Sequence, residues 1–325
     1  MKNIAIVCGG YSGEYEISIA SANVVSKNLD TKKYKPYLIV IQKKEWFLED
    51  EKGEKHLVDK HDFSLNLAGK KIRFEGVFNA IHGTPGEDGK LQGYFDMLHL
   101  PYTSCNQATS ALTFNKFFCN HFIQNLGLSV AKSFSFLEGE KINKTEIIET
   151  LKLPVFVKPA ESGSSVGVSK VNKIEEFDKA VELAFKEGDR ILIEEFIKGR
   201  EIACGILKKG KEIIVFPLTE IISKKEFFDF EAKYNTTLAD EITPADVNTE
   251  VEQDIKTLSA YLFHQLNCKG FVRFDYILTK EDLYFLEVNT IPGISEASII
   301  PQMAESFGMT KTELFTIALD NLFED

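Results

Sequence analysis

Apolar and polar positions over the first hundred residues switch between the two-residue period of strands and the longer period of helices. The pattern predicts strands at 3–8, 37–41 and 76–80, and helices at 17–29 and 91–98. Strands that alternate with helices favour a parallel sheet. Ligand loops in such sheets lie at the carboxyl ends of strands, where the loops GGYSGEYE and IHGTPGEDG are found. We therefore expect a small α/β domain that ends near residue 105.

Two further units are predicted after this domain, at 106–198 and 199–325. The first should contain helices at 110–125 and 174–187 and strands at 131–136, 155–159, 167–171 and 190–196. The second should contain strands at 201–207 and 213–218, a helix at 249–266, a hairpin at 271–289 and a terminal helix from about residue 311. The chain shows no internal repeat, so the boundaries between the units are placed from these predicted elements alone.

The hairpin carries the clearest chemical pattern in the chain. Alternation places on one face Arg273, Asp275, Ile277, Phe285, Glu287 and Asn289. A three-residue turn at 280–282 would put Asp275 opposite Glu287 and Arg273 opposite Asn289. Facing carboxylates repel unless a cation lies between them, and oxygen ligands from these residue types suit Mg²⁺. A solvated polar face is the alternative that an isolated hairpin leaves open.

Composition narrows the class of protein. The 325 residues suffice for two or three domains, and the net charge of −11 argues against a nucleic-acid partner. No apolar run is long enough to span a bilayer, so no membrane insertion is expected, and MKNIAIVCGG is typical of a first strand rather than a signal peptide. Five cysteines without metal-type spacing fit a reduced, cytoplasmic protein.

Two segments suggest a nucleotide site. In VFVKPAESGSSVGVSKV, Lys158 ends a strand and is followed by a loop of small residues at 162–167, which could approach an anion closely. The chain has no Walker A or G-x-G-x-x-G motif, and a plain hairpin turn remains open. In ILIEEFIKGREI, the strand end at 194–197 could present its backbone to an adenine ring, with Glu201 near the ribose.

Three residues are weaker candidates when taken singly. His82 follows an apolar strand, and a buried structural histidine is the default interpretation. Lys116 lies on a predicted helix, where exposed lysines are common. Glu16 follows the first strand and could be only a first-turn helix acid.

Nine motifs in order resemble the ATP-grasp ligases, and among them the D-alanine–D-alanine ligases. They are GGYSGEYEISI, IHGTPGEDGKLQGYFDMLHLPYT, SALTFNK, KPAESGSSVGVSK, ILIEEFIKG, FFDFEAKY, GFVRFD, FLEVNTIPG and EASIIP. The resemblance covers nearly the whole chain and implies an α/β fold with α+β elements. An N-terminal Rossmann-like pre-ATP-grasp domain (1–105) would precede central (106–198) and C-terminal (199–325) domains that hold the nucleotide between them.

The resemblance also implies an activity and its ligands. The activity is ATP-dependent ligation of two D-alanine molecules through a D-alanyl phosphate, releasing ADP and phosphate, for peptidoglycan precursor synthesis. The ligands are ATP, D-alanine and two Mg²⁺ (or Mn²⁺) ions, and a homodimer is implied.

Site residues follow from the resemblance position by position. Implied nucleotide ligands are Lys116, Lys158, Ser164, Ser165, Glu194, Glu195, Phe196, Ile197, Glu201 and Lys233. Implied metal ligands are Asp275, Glu287 and Asn289. Implied catalytic residues are Glu16, Ser164, Tyr234, Arg273 and Gly293. The substrates would be bound by Glu16, His82, Arg273, Ser298 and Ile299.

Three residues depart from the family pattern, and two alternative functions are considered beside the implied one. Tyr15, Ser104 and Ile299 differ from the usual residues, which leaves substrate fine-tuning open. Tyr234 favours a dipeptide product over a D-alanine–D-lactate product. Another ATP-grasp carboxylate–amine or depsipeptide ligase remains an alternative. A silent nucleotide-binding protein is disfavoured because it would not need both the metal ligands and Arg273.

Overall fold

The computed structural model describes residues 1–163, 166–223, 239–296 and 298–324. In this part of the chain the strands form three sheets, which follow one another along the sequence and contain seven, four and six strands. The predicted domain boundaries at residues 105 and 198 stay predictions. No helix within the described ranges combines the length and apolar character needed to cross a membrane.

The first sheet contains the predicted parallel strands and an unpredicted extension. Its order is β6-β5-β4-β3-β2-β1-β7, and β1 pairs in parallel with both β2 and β7. Buried apolar residues on both faces of β1 make such a central position favourable. The strands are β1 (Lys2–Gly9), β2 (Tyr34–Ile41), β3 (Trp46–Glu49), β4 (Lys55–Asp59), β5 (Ser64–Leu67), β6 (Lys70–Ile72) and β7 (Gly76–Asn79); the helices are α1 (Tyr15–Asn28) and α2 (Lys90–Met97).

The second sheet is antiparallel, in the order β10-β9-β11-β8. Two helices pack on it and close a separate core that includes Val157, Phe177 and Ile191. Its elements are β8 (Ser133–Leu137), α5 (Lys144–Leu151), β9 (Val155–Pro159), β10 (Ser169–Val171), α6 (Phe177–Phe185) and β11 (Arg190–Glu195). The helix α5 was not predicted.

The third sheet has the order β15-β14-β12-β16-β17, with β13 paired to β12. One face packs against α7, and the other packs against the two terminal helices and the first sheet. Its elements are β12 (Arg200–Lys209), β13 (Glu212–Val215), β14 (Thr219–Ser223), β15 (Ala239–Ile242), α7 (Thr249–Gln265), β16 (Phe271–Leu278), β17 (Leu283–Asn289), α8 (Ile299–Ser306) and α9 (Lys311–Asp320).

The helix predicted at 110–125 is two helices, α3 (Gln107–Phe114) and α4 (Lys116–Asn125). The break occurs because Asn115 leaves the helical conformation, with φ −86° and ψ 102°, and its side chain accepts a hydrogen bond from the Phe118 N–H. Asparagine is a preferred N-cap residue for this reason. The break makes Lys116 the first residue of α4.

The hairpin has the predicted register at its polar end, although the turn differs. Asp275 pairs with Glu287 and Arg273 with Asn289, but Leu278 pairs with Leu283 across a four-residue turn. A bulge next to Asp275 restores the register. The same bulge turns Phe285 into the core against Tyr276, so its predicted place on the polar face is wrong.

Candidate active site

A cleft of about 490 Å³ lies between the second and third sheets, and most of the predicted nucleotide ligands line it. They come from α4, from the ends of β9 and β11, and from β12 and β17. The lining includes Lys116, Lys158, Glu194, Glu195, Phe196, Ile197, Glu201 and Glu287. The fold therefore gathers residues that are scattered along the sequence.

A buried ion pair forms part of the wall of this cleft. Lys158 is 7% exposed, and its Nζ atom lies 2.5 Å from Oε2 of Glu194, which is 5% exposed. Oε1 of Glu194 accepts a hydrogen bond from Nδ2 of Asn120 at 3.3 Å. Burying a charge is costly unless it is paired. Glu194 therefore pairs with the Lys158 ammonium group and fixes it at the edge of the cleft.

Lys116 is held beside the loop that follows β9. Its Nζ atom donates a hydrogen bond to the Ser162 carbonyl at 2.8 Å, and its N–H donates to the Ala160 carbonyl at 2.8 Å. Nζ also lies 3.7 Å from Oε2 of Glu287. The two lysines therefore provide positive charge along one cleft, next to an acid of β17.

The end of β11 supplies an apolar wall and a backbone segment that lines the cleft. The Phe196 ring lies 6.0 Å from the Phe156 ring, centroid to centroid, and both line the cleft. Glu195 instead bonds with Lys132, since its Oε1 accepts the Lys132 N–H at 2.9 Å. Its carboxylate is used in holding β11 to the preceding segment. A planar ring between aromatic walls and this backbone fits the cleft.

The hairpin β16–β17 brings the predicted metal ligands together. Arg273 donates through Nε and Nη2 to the two oxygens of Asp275, each at 2.8 Å. Asn289 donates through Nδ2 to Oδ2 of Asp275 at 2.9 Å. Asp275 is 2% exposed, so these three hydrogen bonds fix a buried carboxylate in one orientation.

Arg273 stays a cation in this setting. Burial favours its neutral form, but the charges of Asp275, Glu287 and Glu201 outweigh burial and raise its pKa. A guanidinium that is always charged and offers several donors suits a site where negative charge develops.

The donor set of Asp275, Glu287 and Asn289 fits a hard divalent cation. Carboxylate and amide oxygens are the ligands that Mg²⁺ and Mn²⁺ favour. The two acids face each other across one ladder, and the cations Arg273 and Lys116 lie beside them. The residues present therefore fit the metal that the sequence predicts.

The first loop places Glu14, and not Glu16, among the buried polar residues. Glu14 is 6% exposed, whereas Glu16 is an exposed residue in the first turn of α1. A Cβ atom on Gly163 would lie 2.4 Å from Oε2 of Glu14, and one on Gly83 2.9 Å from it. Three separate loops therefore converge on the Glu14 carboxylate, whereas the predicted Glu16 is exposed, and its assignment stays a prediction.

His82 is buried with both ring nitrogens occupied. Nδ1 lies 3.0 Å from the Ile291 carbonyl and Nε2 lies 3.0 Å from Oγ of Ser21. Because a carbonyl can only accept, the ring proton is assigned to Nδ1. Burial lowers the pKa of His82 against the opposing effect of Glu14, which favours this neutral form. The ring thus joins the first loop region to the segment after β17.

The segment after β17 is compact around Gly293. A Cβ atom there would lie 2.8 Å from Oγ of Ser298, so only glycine allows this approach. Ser298 is the N-cap residue of α8, and its Oγ lies 2.8 Å from Oγ of Ser295. Ile299 is 5% exposed and packs in the core, so its side chain supports the helix start from beneath.

The departures from the family pattern have structural partners. Tyr15 accepts a hydrogen bond through its hydroxyl from Nε2 of Gln42 at 2.9 Å. The Ser104 hydroxyl lies 3.2 Å from Nε2 of Gln92 and 3.4 Å from Nδ2 of Asn79, beneath the loop that carries His82. The predicted residues that lie outside the described ranges are Ser164, Ser165, Lys233 and Tyr234.

Comparison with known proteins matches the chain to one family. The family model for the D-ala D-ala ligase N-terminus matches residues 3–105, and that for the D-ala D-ala ligase C-terminus matches residues 122–320. The D-alanine–D-alanine ligase of Azobacteroides pseudotrichonymphae is 44% identical, over 99% of this chain and 100% of that relative. The enzyme of the same name from Flavobacterium johnsoniae is also 44% identical, over 98% and 99% of the two chains.

Solved structures give the same result. The D-alanyl-alanine synthetase A of Vibrio cholerae has a TM-score of 0.89 and 27% identity, and the VanG D-Ala:D-Ser ligase of Enterococcus faecalis has 0.86 and 32%; each comparison covers 99% of both chains. A D-alanine–D-alanine ligase of Bacillus anthracis solved with ATP has a TM-score of 0.79 at 25% identity, over 99% of this chain and 98% of that one. The predicted ATP-grasp fold is confirmed, and the chain belongs to the D-alanine–D-alanine ligase family.

Proposed function

We propose that the protein uses ATP to join two D-alanine molecules, and that D-alanyl phosphate is the intermediate. The observation that carries the proposal is the polar face of β16–β17, where Arg273, Asp275, Glu287 and Asn289 lie between the lysine-lined cleft and the first loop. Family membership supports the activity, and this face supports the division of the reaction into two steps.

ATP would occupy the cleft between the second and third sheets. The ammonium groups of Lys116 and Lys158 would neutralise its phosphates, and the aromatic wall with the backbone of 195–197 would bind adenine. Glu201 lies on β12 further along the cleft and would accept from the ribose. Positioning and charge neutralisation are the main needs of phosphoryl transfer.

Asp275, Glu287 and Asn289 would hold two Mg²⁺ or Mn²⁺ ions. When bound, such ions neutralise the charge that develops on the transferring phosphoryl group. Arg273 keeps Asp275 ionised and oriented for this purpose, because its bidentate contact fixes both carboxylate oxygens.

The first D-alanine would lie between the first loop and Arg273. We assign its ammonium group to Glu14, which is the buried acid of that loop. Its carboxylate oxygen attacks the γ-phosphorus of ATP, the bond to the β-phosphate oxygen breaks, and ADP leaves. Ser164, Tyr234 and Lys233 would close over this site, as the resemblance implies, to exclude water from the acyl phosphate.

The second D-alanine would bind by its carboxylate at Ser298 and the start of α8. Its amine, once deprotonated, attacks the acyl carbon, and phosphate leaves as the peptide bond forms. Arg273 and the Gly293 N–H would donate to the oxyanion of the tetrahedral intermediate, which lowers the barrier because these donors are already in place.

The activity test incubates the protein with ATP, Mg²⁺ and D-alanine and follows phosphate and dipeptide by mass spectrometry. We expect one phosphate released for each D-alanyl-D-alanine formed, and little product with D-lactate. D-Serine is the informative competitor because one structural neighbour is named a D-Ala:D-Ser ligase. Phosphate release only with another acid, or a mixed product formed faster than the D-alanine dipeptide, would contradict the proposal.

We also propose three units with the predicted boundaries, a homodimer and a cytoplasmic location. The five cysteines are free and buried, which suits a reducing compartment. Light scattering at micromolar concentration would test the dimer, and a monomeric mass with full activity would contradict it.

A further inference from the structure

Glu87 is a buried acid to which neither motif nor resemblance assigned a role. It ends the turn that begins at His82, and it is 9% exposed. Its Oε2 atom accepts a hydrogen bond from the Gly83 N–H at 2.7 Å. Burying a carboxyl group costs free energy unless hydrogen bonds compensate the lost hydration. The contacts of Glu87 therefore indicate what the residue does in this turn.

The turn that carries Glu87 is rigid. A Cβ atom on Gly86 would lie 2.3 Å from the Ile81 carbonyl oxygen, so the chain folds back on itself as closely as glycine allows. The Gly86 carbonyl accepts a hydrogen bond from Nδ2 of Asn79 at 3.1 Å, and the side-chain amide of Gln92 also bonds to it. The Glu87 side chain therefore extends from a fixed base.

Glu87 and His82 both reach Ile291, in the segment after β17. The Ile291 carbonyl accepts from Nδ1 of His82 at 3.0 Å, and the Ile291 N–H, which belongs to the preceding peptide group, is directed toward the Glu87 carboxyl group. Ile291 is 3% exposed. It lies two residues after Asn289 and two residues before Gly293, so this contact fixes the middle of a five-residue segment with a proposed reactive group at each end.

We propose that Glu87 is a positioning residue that, together with His82, holds the segment 289–293 against the first-substrate turn. Asn289 and Gly293 then keep their places relative to the bound acid through both chemical steps. This inference rests on the proposed function. The competing interpretation is that Glu87 only closes its own turn through Gly83, in which case its loss affects folding but not the chemical steps selectively.

The charge state of Glu87 decides which substitutions are informative. Burial, together with the negative charges of Glu14 and Glu287, raises its pKa to about 8 against the opposing effect of the Gly83 and Ile291 N–H groups. His82, which contacts the carbonyl of the same residue, is held neutral. A neutral amide of the same length is therefore a close substitute for Glu87, whereas an unbranched apolar chain of similar volume keeps the packing and removes every acceptor.

The experiment compares Glu87→Met with Glu87→Gln in the full-length protein. We expect Glu87→Met to lower kcat at least about tenfold, since small displacements of reacting groups have large effects on rate. The KM for ATP should stay within about twofold, because the lysine-lined cleft does not include Glu87. Glu87→Gln should restore kcat to within about fivefold of wild type, because an oxygen acceptor remains.

The matched control is Glu75→Gln. Glu75 is an exposed acid of the same part of the chain and also accepts a backbone hydrogen bond, from the Asn3 N–H at 2.6 Å. The Glu75→Gln substitution should leave kcat and the KM for ATP unchanged. Hydrogen exchange without ATP or metal gives an independent readout: amides of 289–293 should exchange faster in Glu87→Met than in wild type or Glu87→Gln.

The outcomes separate this inference from the proposed function. A wild-type protein that forms no dipeptide overturns both. An active wild type with Glu87→Met kcat within twofold of it, or with Glu87→Gln as impaired as Glu87→Met, overturns the inference alone. The inference is also overturned if Glu87→Met lowers kcat and raises the KM for ATP by similar factors while amide exchange at 289–293 is unchanged. That result supports the folding role.

Discussion

At the scale of residues, burial distinguishes two neighbouring acids, and it is the basis for our proposal that Glu14 binds the substrate ammonium group. Glu14 and Glu16 both lie in GGYSGEYE, and only the converging loops at Gly83 and Gly163 distinguish them. Those loops are distant in sequence, so the motif alone could not show which carboxylate they surround. By contrast, alternation along the hairpin predicted the neighbours Asp275 and Glu287, because strand periodicity is local.

Glu14→Gln should lower kcat/KM for D-alanine roughly a hundredfold, since a charge-assisted hydrogen bond to the substrate ammonium contributes up to about 3 kcal/mol. Glu16→Gln should stay within about twofold of wild type, because Glu16 is exposed. Initial rates against D-alanine concentration measure both. The reverse ranking would return the ammonium site to Glu16.

The raised pKa of Glu87 predicts how stability changes with pH. Its pKa is about 8 in the folded protein and 4.5 in the ordinary state, so between these values the folded state binds more protons. The contribution of Glu87 to the free energy of unfolding then falls as pH rises from 5 to 8. Denaturant unfolding without metal or ATP measures this effect. The free energy of unfolding of Glu87→Gln should rise relative to that of wild type by a few kcal/mol over this pH range. A constant difference would mean that Glu87 is not perturbed.

At the scale of elements, the local pattern of apolar and polar residues predicted which strands form better than it predicted where turns and helix ends lie. The hairpin register was correct although its turn length was wrong, because a bulge beside Asp275 compensated for the extra turn residue. The break between α3 and α4 was missed because Asn115 lies in a continuous helical pattern, where its capping hydrogen bond is not visible. That break places Lys116 at a helix start beside the cleft.

Asn115→Ala should therefore affect nucleotide binding as well as stability. Loss of the cap should cost about 1–2 kcal/mol of unfolding free energy, and a misplaced Lys116 should raise the KM for ATP several-fold. Asn143→Ala is the control, because Asn143 caps α5 in the same manner and does not line the cleft. Equal effects of both substitutions on the KM would show that the position of Lys116 does not depend on Asn115.

At the scale of the whole molecule, one core joins the first and third sheets, and the second sheet has its own. Phe315 of α9 lies in the joint core, 5.7 Å from Phe78 between ring centroids, while Phe177 lies in the core of the second sheet. The order of the three sheets followed from the sequence. The packing of α9 between two of them did not, because periodicity predicts an apolar face but not its partner.

Phe315→Ala and Phe177→Ala should each lower the free energy of unfolding of their own core by about 3–5 kcal/mol, since each removes a fully buried ring. Hydrogen exchange should show different regions opening. Phe315→Ala should speed exchange in β1 and β12 together, and Phe177→Ala should speed it in β9 and β11 only. The same exchange pattern in both variants would contradict two separate cores.

The central claim is that a carboxylate of D-alanine is activated as an acyl phosphate on the face formed by Arg273, Asp275, Glu287 and Asn289. D-Alanine labelled with ¹⁸O in both carboxylate oxygens tests it directly, because the oxygen that attacks phosphorus leaves with the phosphate. We predict one ¹⁸O atom in each phosphate released as labelled D-alanyl-D-alanine forms. Dipeptide formation with unlabelled phosphate would contradict the acyl phosphate.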